Sequence, residues 1–336
     1  MRLEDLDYDL PEEAIAQTPL ADRAASKLLW LHRDTGEIED RAFRDVVDIL
    51  QPRDLLVLND TRVTALRLLG EKPTGGQVEL LLLKEVAPSN FEALAKPGRR
   101  LRPGAEIRFE GGLTASVVEN LPEGRKRVVF APDPDLADKL RHLGRVPLPP
   151  YVKRPIDDPE RYQTVYARAA GSAAAPTAGL HFTREILDQL EAKGVRIAKV
   201  TLDVGLDTFR PITALDPLQH QIHGETCQLP EETRRAIAEA KGRIVAVGTT
   251  AVRTLESFAI GPREVEAGSK NTRLFITPGF RFQIVDGMFT NFHMPRTTML
   301  MMISAMAGEG AVRRAYEHAL AGGYRFLSFG DSMLIL

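Results

Sequence analysis

Residues 63–133 differ from the rest of the chain in the pattern of their apolar residues and turns, and this difference constrains the fold more than any other feature. Short strand-like runs follow one another there, separated by Gly and Pro turns and without a convincing long helix. The runs are ALRLL, QVELLLLKEV, FEALA, EIRFE, LTASVVENL and RKRVVF. This pattern is typical of a small all-β sandwich or barrel.

The chain on either side of this stretch alternates between helical and strand patterns, which is typical of an α/β domain. Its 336 residues are enough for two domains. The proline-rich segment GRVPLPPYVKRP at 144–155 is a stiff connector. We therefore predict an α/β main domain formed by residues 1–62 and 151–336. A small all-β, barrel-like domain is inserted into it at residues 63–150.

Several elements of the α/β part follow from the spacing of apolar residues. Helices are predicted over residues 183–193 and 230–242. Strands are predicted at 27–33, 37–43, 54–58, 195–205, 243–247, 274–278 and 324–336.

The composition excludes several classes of protein. No run of about 18 apolar residues occurs, so no membrane-spanning helix is predicted. The opening MRLEDLDYDL is acidic and lacks the apolar core of a secretion signal. A single cysteine, Cys227, excludes an internal disulfide and a cysteine-rich metal site. These features predict a cytoplasmic protein, and a net charge of −2 gives no sign that the chain as a whole binds nucleic acid.

The predicted β domain is more basic than the rest of the chain. Residues 62–150 carry 15 Lys and Arg against 11 Asp and Glu. Much of this charge lies in two clusters, Lys96, Arg99, Arg100, Arg102 and Arg108, and Arg125, Lys126 and Arg127. On the tips of β-hairpins these side chains could meet the phosphates of a nucleic acid. The alternative is that they are solvated hairpin ends, and the sequence leaves both open.

Four polar clusters follow or interrupt apolar runs in the α/β part. They are Asp60-Thr61-Arg62, Pro176 to His181, Thr249 to Glu256, and Asn291 to His293. In an open α/β sheet the loops at the carboxyl ends of the strands gather into one crevice. We therefore predict that the side chains of His181, Thr249 and His293 line one cleft that faces the inserted barrel.

Two of these clusters, and two further groups of residues, also have a simpler interpretation. The stretch AAPTAGLHF at 174–182 could be an ordinary loop with His181 as a buried histidine, and residues 59–62 could be a polar turn. Tyr162, in ERYQTVYA, either stacks on a base or belongs to a strand at the edge of the core. His220 and His223 could bind a metal, but no third convergent ligand is visible.

The common catalytic motifs do not occur. The chain has no GxGxxG, GxxxxGK[ST], GxSxG or HExxH sequence. The standard dinucleotide, P-loop, esterase and zinc-protease interpretations therefore lack their motifs.

Eight longer motifs together resemble one known family. They are DYDLP at 7–11, NDTRV at 59–63, GRVPLPPYVKR at 144–154, RYQTVYA at 161–167, APTAGLHF at 175–182, GTTAVRTLES at 248–257, NFHMP at 291–295 and SFGDSMLIL at 328–336. Their order and their spread over the whole chain make the match specific. The chain resembles the S-adenosylmethionine:tRNA ribosyltransferase-isomerases. It differs from the pattern of that family at Asp203, where a histidine is expected, and at Asp207, where a glycine is expected.

The resemblance implies one step of queuosine biosynthesis. The ribosyl part of S-adenosylmethionine is transferred to a 7-aminomethyl-7-deazaguanine base in the wobble position of tRNA. The product is epoxyqueuosine, and adenine and methionine are released. Such a site needs a base with a pKa near the operating pH, a proton donor for adenine and exclusion of water. It needs no metal, because the sulfonium already carries the activating charge. We therefore expect S-adenosylmethionine as co-substrate, no prosthetic group and no metal.

The resemblance and the positions of the polar clusters together give an expected set of site residues. The expected catalytic residues are His181, His293 and Glu256. The residues expected to bind S-adenosylmethionine are Pro176, Thr177, Gly179, Thr249, Thr250, Arg253 and Asn291. Those expected to bind the substrate base are Asp60, Arg62 and Tyr162, and those expected to bind tRNA are Lys96, Arg99, Arg100, Arg102, Lys153 and Arg154.

Two other classes of function remain as alternatives. The first is a tRNA-binding module that does no chemistry and uses the basic β domain. The second is a metal-dependent hydrolase built on His220, His223 and Asp203. The expected partners are tRNA and S-adenosylmethionine, with no membrane, and the protein is expected to be a monomer.

Overall fold

The computed structural model describes residues 3–205, 212, 214, 216–220 and 222–336. The chain forms two compact units. The α/β unit consists of Met1–Thr61, Pro149–Ala169 and Ala175–Leu336. The β unit consists of Arg62–Leu148 and Ala170–Ala174.

The described residues form the following strands in chain order: β1 Lys27–Leu31, β2 Ile38–Ala42, β3 Leu55–Asn59, β4 Thr61–Val63, β5 Leu66–Glu71, β6 Gln77–Ala87, β7 Asn90–Lys96, β8 Glu106–Phe109, β9 Thr114–Asn120, β10 Lys126–Phe130, β11 Ala169–Ser172, β12 Arg196–Leu202, β13 Glu225–Leu229, β14 Ile244–Val247, β15 Ala259–Gly261, β16 Glu264–Val265, β17 Gly268–Thr272, β18 Gly287–Asn291 and β19 Ser332–Ile335.

The helices of the described residues are α1 Val46–Ile49, α2 Leu136–Leu143, α3 Arg184–Lys193, α4 Glu231–Ala238, α5 Thr249–Ser257, α6 Thr298–Ala307 and α7 Glu309–Ala321. Capping residues mark the ends of α3. The side chain of Thr183 accepts a hydrogen bond from the Ile186 N–H at its start, and Gly194 adopts a left-handed conformation at its end. None of the helices in the described part of the chain has the length and apolarity that a bilayer crossing needs.

A nine-stranded mixed sheet is the centre of the α/β unit. Its order is β17-β13-β12-β3-β14-β18-β19-β1-β2. The neighbouring strands β12, β3, β14 and β18 are parallel to one another. All residues of β3 (LLVLN) and β14 (IVAV) are buried, as expected for parallel strands that are covered on both faces. Because these strands share a direction, their carboxyl ends lie at one edge of the sheet.

The β unit contains a closed barrel of six antiparallel strands. The order around the barrel is β10-β7-β6-β5-β8-β9. Alternate residues face the interior, as Ala115 and Val117 do in β9. The short strands predicted from the sequence therefore form a closed barrel, which has no free edge strand. The predicted fold class, an α/β main part with an inserted barrel-like all-β part, is confirmed.

Some predicted elements are shorter than expected or absent. Residues 274–278 form no strand, and the strand in this region is β17 instead. The predicted last strand begins only at Ser332, because Asp331 accepts hydrogen bonds from the backbone N–H groups of Lys27 and Arg325 and holds the preceding residues in a turn. Residues 160–167 form no strand either, and Tyr162 ends a short 3-10 turn.

Candidate active site

A cleft lies at the carboxyl ends of the parallel strands in the α/β unit. The turn after β14 lines it with Gly248 and Thr249, and the end of β18 lines it with Asn291 and His293. Thr177, from the segment before α3, adds a hydroxyl group to this lining. The volume of the cleft is about 50 Å³.

The turn between β14 and α5 supplies one wall of the cleft. Gly248 has φ 88°, a conformation that L-residues with a side chain rarely adopt, and it lets the chain turn sharply into the helix. The Asn59 amide donates a hydrogen bond of 3.1 Å to Thr250 Oγ1 and thereby holds the first turn of α5 against β3. The positive end of the α5 dipole therefore lies beside the cleft.

Asn291 connects the cleft to His181. Its Oδ1 accepts a hydrogen bond of 2.9 Å from Thr177 Oγ1, and its Nδ2 lies 3.2 Å from His181 Nε2. The other ring nitrogen of His181 lies 2.8 Å from Ser26 Oγ. Both ring nitrogens of His181 are therefore engaged, and its side chain lines a separate small cavity beside Ser26 and Arg325. The structure places His181 behind Asn291 and not in the lining of the cleft.

His181 is a buried histidine with a strongly perturbed acidity. Burial lowers its pKa to about 3, and the charges of Arg325 and Arg23 act in the same direction. The imidazole is therefore neutral near pH 7.

His293 lies in the cleft itself. One ring nitrogen, Nε2, is 2.6 Å from Thr290 Oγ1. Burial lowers the pKa of the ring to about 3, so it too is neutral near pH 7. Two tyrosines hold its backbone: the Tyr8 hydroxyl donates to the carbonyl oxygen, and the N–H donates to the Tyr316 oxygen at 2.9 Å.

Glu256 is buried near the end of α5 and is committed to a neighbouring loop. One carboxylate oxygen accepts from the N–H of Gln283 at 2.9 Å. The other accepts from the N–H groups of Ile284 and Val285, both at 3.0 Å. Glu256 is not among the residues that line the cleft. The structure therefore gives its carboxylate a positioning contact with the segment that leads into β18.

Arg253 and Thr250 lie in the first half of α5, beside a second small cavity. Arg253 is buried and its Nη1 lies 2.5 Å from Glu225 Oε2, while its Nη2 donates to the carbonyl oxygen of His223 at 3.0 Å. Both Arg253 and Thr250 line a small cavity that Thr249 also borders. Thr249 and Thr250 border the cleft as well.

Residues 174–182 include a 3-10 helix, Thr177–His181, and some of them line the cleft while others pack in the interior. Pro176 and Thr177 line the cleft. A Cβ atom at Gly179 would lie 1.9 Å from the Tyr166 hydroxyl, so the glycine is required by the close approach of that buried ring. The bare backbone at Gly179 thus accommodates a protein side chain.

The residues expected at the substrate base are in different environments. Asp60 is buried, and its carboxylate accepts from Thr201 Oγ1 at 2.7 Å and pairs with Arg168 at 3.1 Å. Arg62 is half-buried at the start of the β unit. Tyr162 is fully buried, with its ring edge-to-face to Phe329 at a centroid distance of 5.9 Å. The Tyr162 ring therefore offers no exposed face on which a base could stack.

The two basic clusters of the β unit differ. Lys96, Arg99, Arg100 and Arg102 are exposed, between the end of β7 and the start of β8. In the second cluster, Arg125 and Arg127 pair with Glu92, Glu119 and Glu123, and Lys126 is buried beside Asn120. The first cluster therefore offers exposed cations, whereas the second is largely neutralised within the barrel. In the α/β unit, Lys153 pairs with Glu12 at 3.2 Å, and Arg154 is exposed.

The residues of the hydrolase alternative do not form a recognisable metal site in the described part of the chain. No three His, Cys, Asp or Glu side chains described by the structure are grouped so that they could hold a metal ion. Asp203 accepts a hydrogen bond of 3.2 Å from Thr61 Oγ1. Asp207, the second position at which the sequence differs from the family pattern, lies outside the described residues.

Several residues of the cleft were not predicted from the sequence. Tyr151, Thr290 and Ser328 line it, and the Tyr151 hydroxyl lies 2.7 Å from Ser328 Oγ. Tyr151 and Ser328 belong to two of the motifs that carry the family resemblance, GRVPLPPYVKR and SFGDSMLIL. That membership was the signal that could have identified them. Ser26, which holds His181, lies in none of the eight motifs.

Comparison with known proteins identifies the family. The profile of a family described as "Queuosine biosynthesis protein" matches residues 3–335. The chain belongs to this queuosine biosynthesis family. A curated protein from Symbiobacterium thermophilum, named S-adenosylmethionine:tRNA ribosyltransferase-isomerase, is 51% identical over 341 residues, and the alignment covers all of both chains. The family membership confirms the resemblance and the predicted class of enzyme, a ribosyltransferase-isomerase of queuosine biosynthesis.

A solved structure is similar to this member of the queuosine biosynthesis family over its full length. It is the crystal structure of an S-adenosylmethionine tRNA ribosyltransferase from Thermotoga maritima. The two chains are 37% identical and superimpose with a TM-score of 0.57, and the match covers 99% of this chain and 100% of the other.

Proposed function

We propose that this protein transfers and isomerises the ribosyl moiety of S-adenosylmethionine onto 7-aminomethyl-7-deazaguanine at the wobble position of tRNA. The products are epoxyqueuosine-tRNA, adenine and methionine. The observation that carries the proposal is the full-length identity of 51% to a protein named for this activity. The convergence of Thr177, Thr249, Asn291 and His293 on one cleft supports it independently.

The reaction begins at the ribose carbon beside the sulfonium. A base removes a proton from that carbon, and collapse of the resulting ylide opens the sugar and expels adenine, which takes up a proton. The aminomethyl nitrogen of the deazaguanine then adds as a neutral amine to the unsaturated carbon next to the sulfonium-bearing carbon and loses a proton. The carbanion formed beside sulfur bonds to the aldehyde carbon that carried adenine and closes the carbocycle. The resulting alkoxide displaces methionine and forms the epoxide. Each step requires that water be excluded from the open sugar.

We assign the proton acceptor to His293. Its ring lies in the cleft and is neutral near pH 7, because burial holds its pKa at about 3. A neutral imidazole has a ring nitrogen free to accept a proton. The assignment rests on the position of the ring in the cleft, because a ring with so low a pKa is a weaker base than a solvated imidazole. A hydrogen bond of 2.6 Å between His293 Nε2 and Thr290 Oγ1 orients the imidazole ring.

Two other predicted catalytic residues receive positioning roles in this proposal. His181 holds the Asn291 amide from behind, since its ring nitrogens contact Asn291 and Ser26. Glu256 holds residues 283–285 through three backbone hydrogen bonds. Neither side chain lines the cleft.

The first turn of α5 suits the carboxylate of S-adenosylmethionine. Helix N-termini attract anions because their first N–H groups have no partner within the helix. The hydroxyl groups of Thr249 and Thr250 flank this position, and Pro176, Thr177 and Asn291 form the facing wall.

Arg253 lies one turn further along α5 and pairs with Glu225. We propose that it braces the turn, and that Gly179 contributes through its packing with Tyr166.

The proposal also includes the domain boundaries, the contacts with the substrate base and tRNA, the cellular location and the oligomeric state. We infer that residues 1–62 and 151–336 are the catalytic domain and that residues 63–150 are the inserted domain. Asp60 and Arg62 are proposed to contact the substrate base, with Tyr162 as packing behind them. Lys96, Arg99, Arg100, Arg102, Lys153 and Arg154 are proposed to contact tRNA. We further propose a cytoplasmic monomer that needs no prosthetic group.

A single incubation tests the proposal. Purified protein is mixed with S-adenosylmethionine labelled in the ribose and with tRNA that carries 7-aminomethyl-7-deazaguanine. The expected result is one adenine and one methionine released for each labelled ribosyl group that enters tRNA. Tight binding of tRNA without release of adenine would reject the transferase and favour the binding-module alternative.

A further inference from the structure

A small cavity of the α/β unit adjoins the cleft at the first turn of α5. Thr249, Thr250 and Met299 line both the cleft and this cavity. Other parts of its wall come from β13, from the middle of α5, from α6 and from residues 274–276. We call this space the side cavity.

Arg253 brings an unsatisfied donor to the wall of the side cavity. The residue lines the cavity and is only 8% exposed. Its Nη1 pairs with Glu225, and its Nη2 donates to the carbonyl oxygens of His223 and Thr272. Its Nε, in contrast, is buried and has no hydrogen-bond partner among the residues that the structure describes. A buried guanidinium N–H without an acceptor costs free energy, and a ligand in the side cavity can supply the missing acceptor.

The charges around this donor favour a zwitterion over a simple anion. Glu225 lines the same cavity and is also buried, and its Oε1 accepts from the Gly205 N–H at 3.2 Å. An anion such as phosphate would meet this carboxylate together with Arg253, and the like charges would repel. A ligand that carries a carboxylate and an ammonium close together is attracted by both members of the ion pair. The α-amino acid group has this arrangement.

The rest of the lining suits a short aliphatic chain. Leu274, Ile276 and Met302 line the side cavity, and the last two are buried. Methylene groups are stabilised when they cover such apolar surface. The unbranched side chains of Met299 and Met302 can adapt their shape to a ligand.

We infer that the side cavity binds the α-amino acid end of S-adenosylmethionine, an inference that rests on the proposed function. The α-carboxylate accepts a hydrogen bond from Arg253 Nε and lies at the N-terminus of α5. The α-ammonium faces Glu225, and the methylene chain lies against Met302. The sulfonium then lies near Met299, where the side cavity meets the cleft, and the ribose and adenine extend into the cleft towards His293. The two Nη atoms of Arg253 continue to brace α5 against β13.

Isothermal titration calorimetry without tRNA tests the side cavity with three ligands. They are S-adenosylmethionine, decarboxylated S-adenosylmethionine, which lacks only the α-carboxylate, and 5′-methylthioadenosine, which lacks the amino acid end altogether. The unchanged protein should bind S-adenosylmethionine about tenfold more tightly than the decarboxylated form, which is the effect of one buried charge-assisted hydrogen bond.

The main variant is Arg253→Lys, which keeps a positive charge beside Glu225 and removes the guanidinium N–H. We expect it to bind S-adenosylmethionine about tenfold more weakly than the unchanged protein and within about threefold of the decarboxylated form. Its affinity for 5′-methylthioadenosine should change by less than about twofold. The matched control is Arg243→Lys, at an arginine that pairs with the buried Asp54 and lines neither the cleft nor the side cavity. The control should bind all three ligands within about twofold of the unchanged protein.

A second variant keeps the test decisive if Arg253→Lys does not fold. Met302→Phe keeps an apolar side chain in α6 and narrows the side cavity. It should weaken the binding of both sulfonium ligands and leave the affinity for 5′-methylthioadenosine unchanged.

Three results would overturn the inference. They are an unchanged preference for the carboxylate in Arg253→Lys, unchanged binding of all three ligands in Met302→Phe, and a loss of affinity for 5′-methylthioadenosine equal to that for S-adenosylmethionine. The last result would place the nucleoside in the side cavity. Binding of S-adenosylmethionine through Arg253 without transfer to tRNA would reject the transferase alone, whereas absence of binding would reject both proposals.

Discussion

At the scale of single residues, His293 carries the main prediction for the chemistry. His293→Ala should lower kcat by about 10²-fold or more, because it removes the proposed proton acceptor from the cleft. The measurement is single-turnover release of adenine at saturating S-adenosylmethionine. His142→Ala, on the exposed surface of α2, is the control and should retain full turnover. If the His293 variant folds and turns over within a few-fold of the control, another group is the base.

His181 is expected to affect the pH dependence of stability more directly than the proton transfer. Its folded-state pKa is lowered from 6.5 to about 3, so the unfolded chain binds a proton more readily than the folded one. Its contribution to stability is therefore complete above pH 6.5 and is lost as the pH falls towards 3. Each such histidine adds a slope of up to about 1.4 kcal/mol per pH unit in that window.

The substitution His181→Gln isolates this contribution. Urea unfolding between about pH 7 and about pH 4 should give a shallower loss of the free energy of unfolding in the variant than in the unchanged protein. The expected reduction is about 1 kcal/mol per pH unit. Turnover should fall through displacement of Asn291, without a shift in the pH profile of kcat. Identical stability slopes would show that the pKa of His181 is not lowered in the folded protein. A kcat profile that loses an ionisation in the variant would assign direct proton transfer to His181.

At the scale of elements, Glu256 ties the end of α5 to the segment that leads into β18. Glu256→Gln replaces one acceptor oxygen by an NH₂ group that faces an N–H donor of residues 283–285. We expect the free energy of unfolding to fall by about 2 kcal/mol, the cost of leaving buried polar groups unsatisfied. Glu264→Gln, at an exposed position in β16, should change it by less than about 0.5 kcal/mol. A catalytic Glu256 would show the reverse pattern, with stability unchanged and turnover lost.

At the scale of the whole molecule, the exposed cluster of the β unit is expected to bind phosphates of tRNA. Changing Arg99, Arg100 and Arg102 to Ala should weaken tRNA binding. It should also reduce the slope of log affinity against log salt by about 0.9 for each lost contact. Changing Arg125 and Arg127 to Ala is the control, because these arginines already pair with carboxylates in the same barrel. Affinity for S-adenosylmethionine should not change in either variant. Equal slopes of log affinity against log salt in all three proteins would show that Arg99, Arg100 and Arg102 are solvated and do not contact tRNA phosphates.

The sequence by itself determined the features that depend on local patterns. Apolar alternation and Gly or Pro turns predicted the all-β barrel between two stretches of α/β pattern, because side-chain direction in a strand has a period of two. Thr183 and Gly194 marked the ends of α3, since capping involves neighbours only a few residues away. The long ordered motifs were also sufficient to indicate the family, because they extend from one end of the chain to the other.

Only the tertiary structure decided which polar residues face the cleft. The partner of His181 is Ser26, 155 residues away, and the hydroxyl that requires Gly179 comes from the buried ring of Tyr166. The sequence did not distinguish Glu256 and Tyr162 from residues that face a substrate. In the structure Glu256 accepts hydrogen bonds from three backbone N–H groups, and Tyr162 is packed in the core. A residue type states what a side chain can do. Whether its polar atoms remain free for a substrate depends on partners that the fold brings from distant parts of the chain.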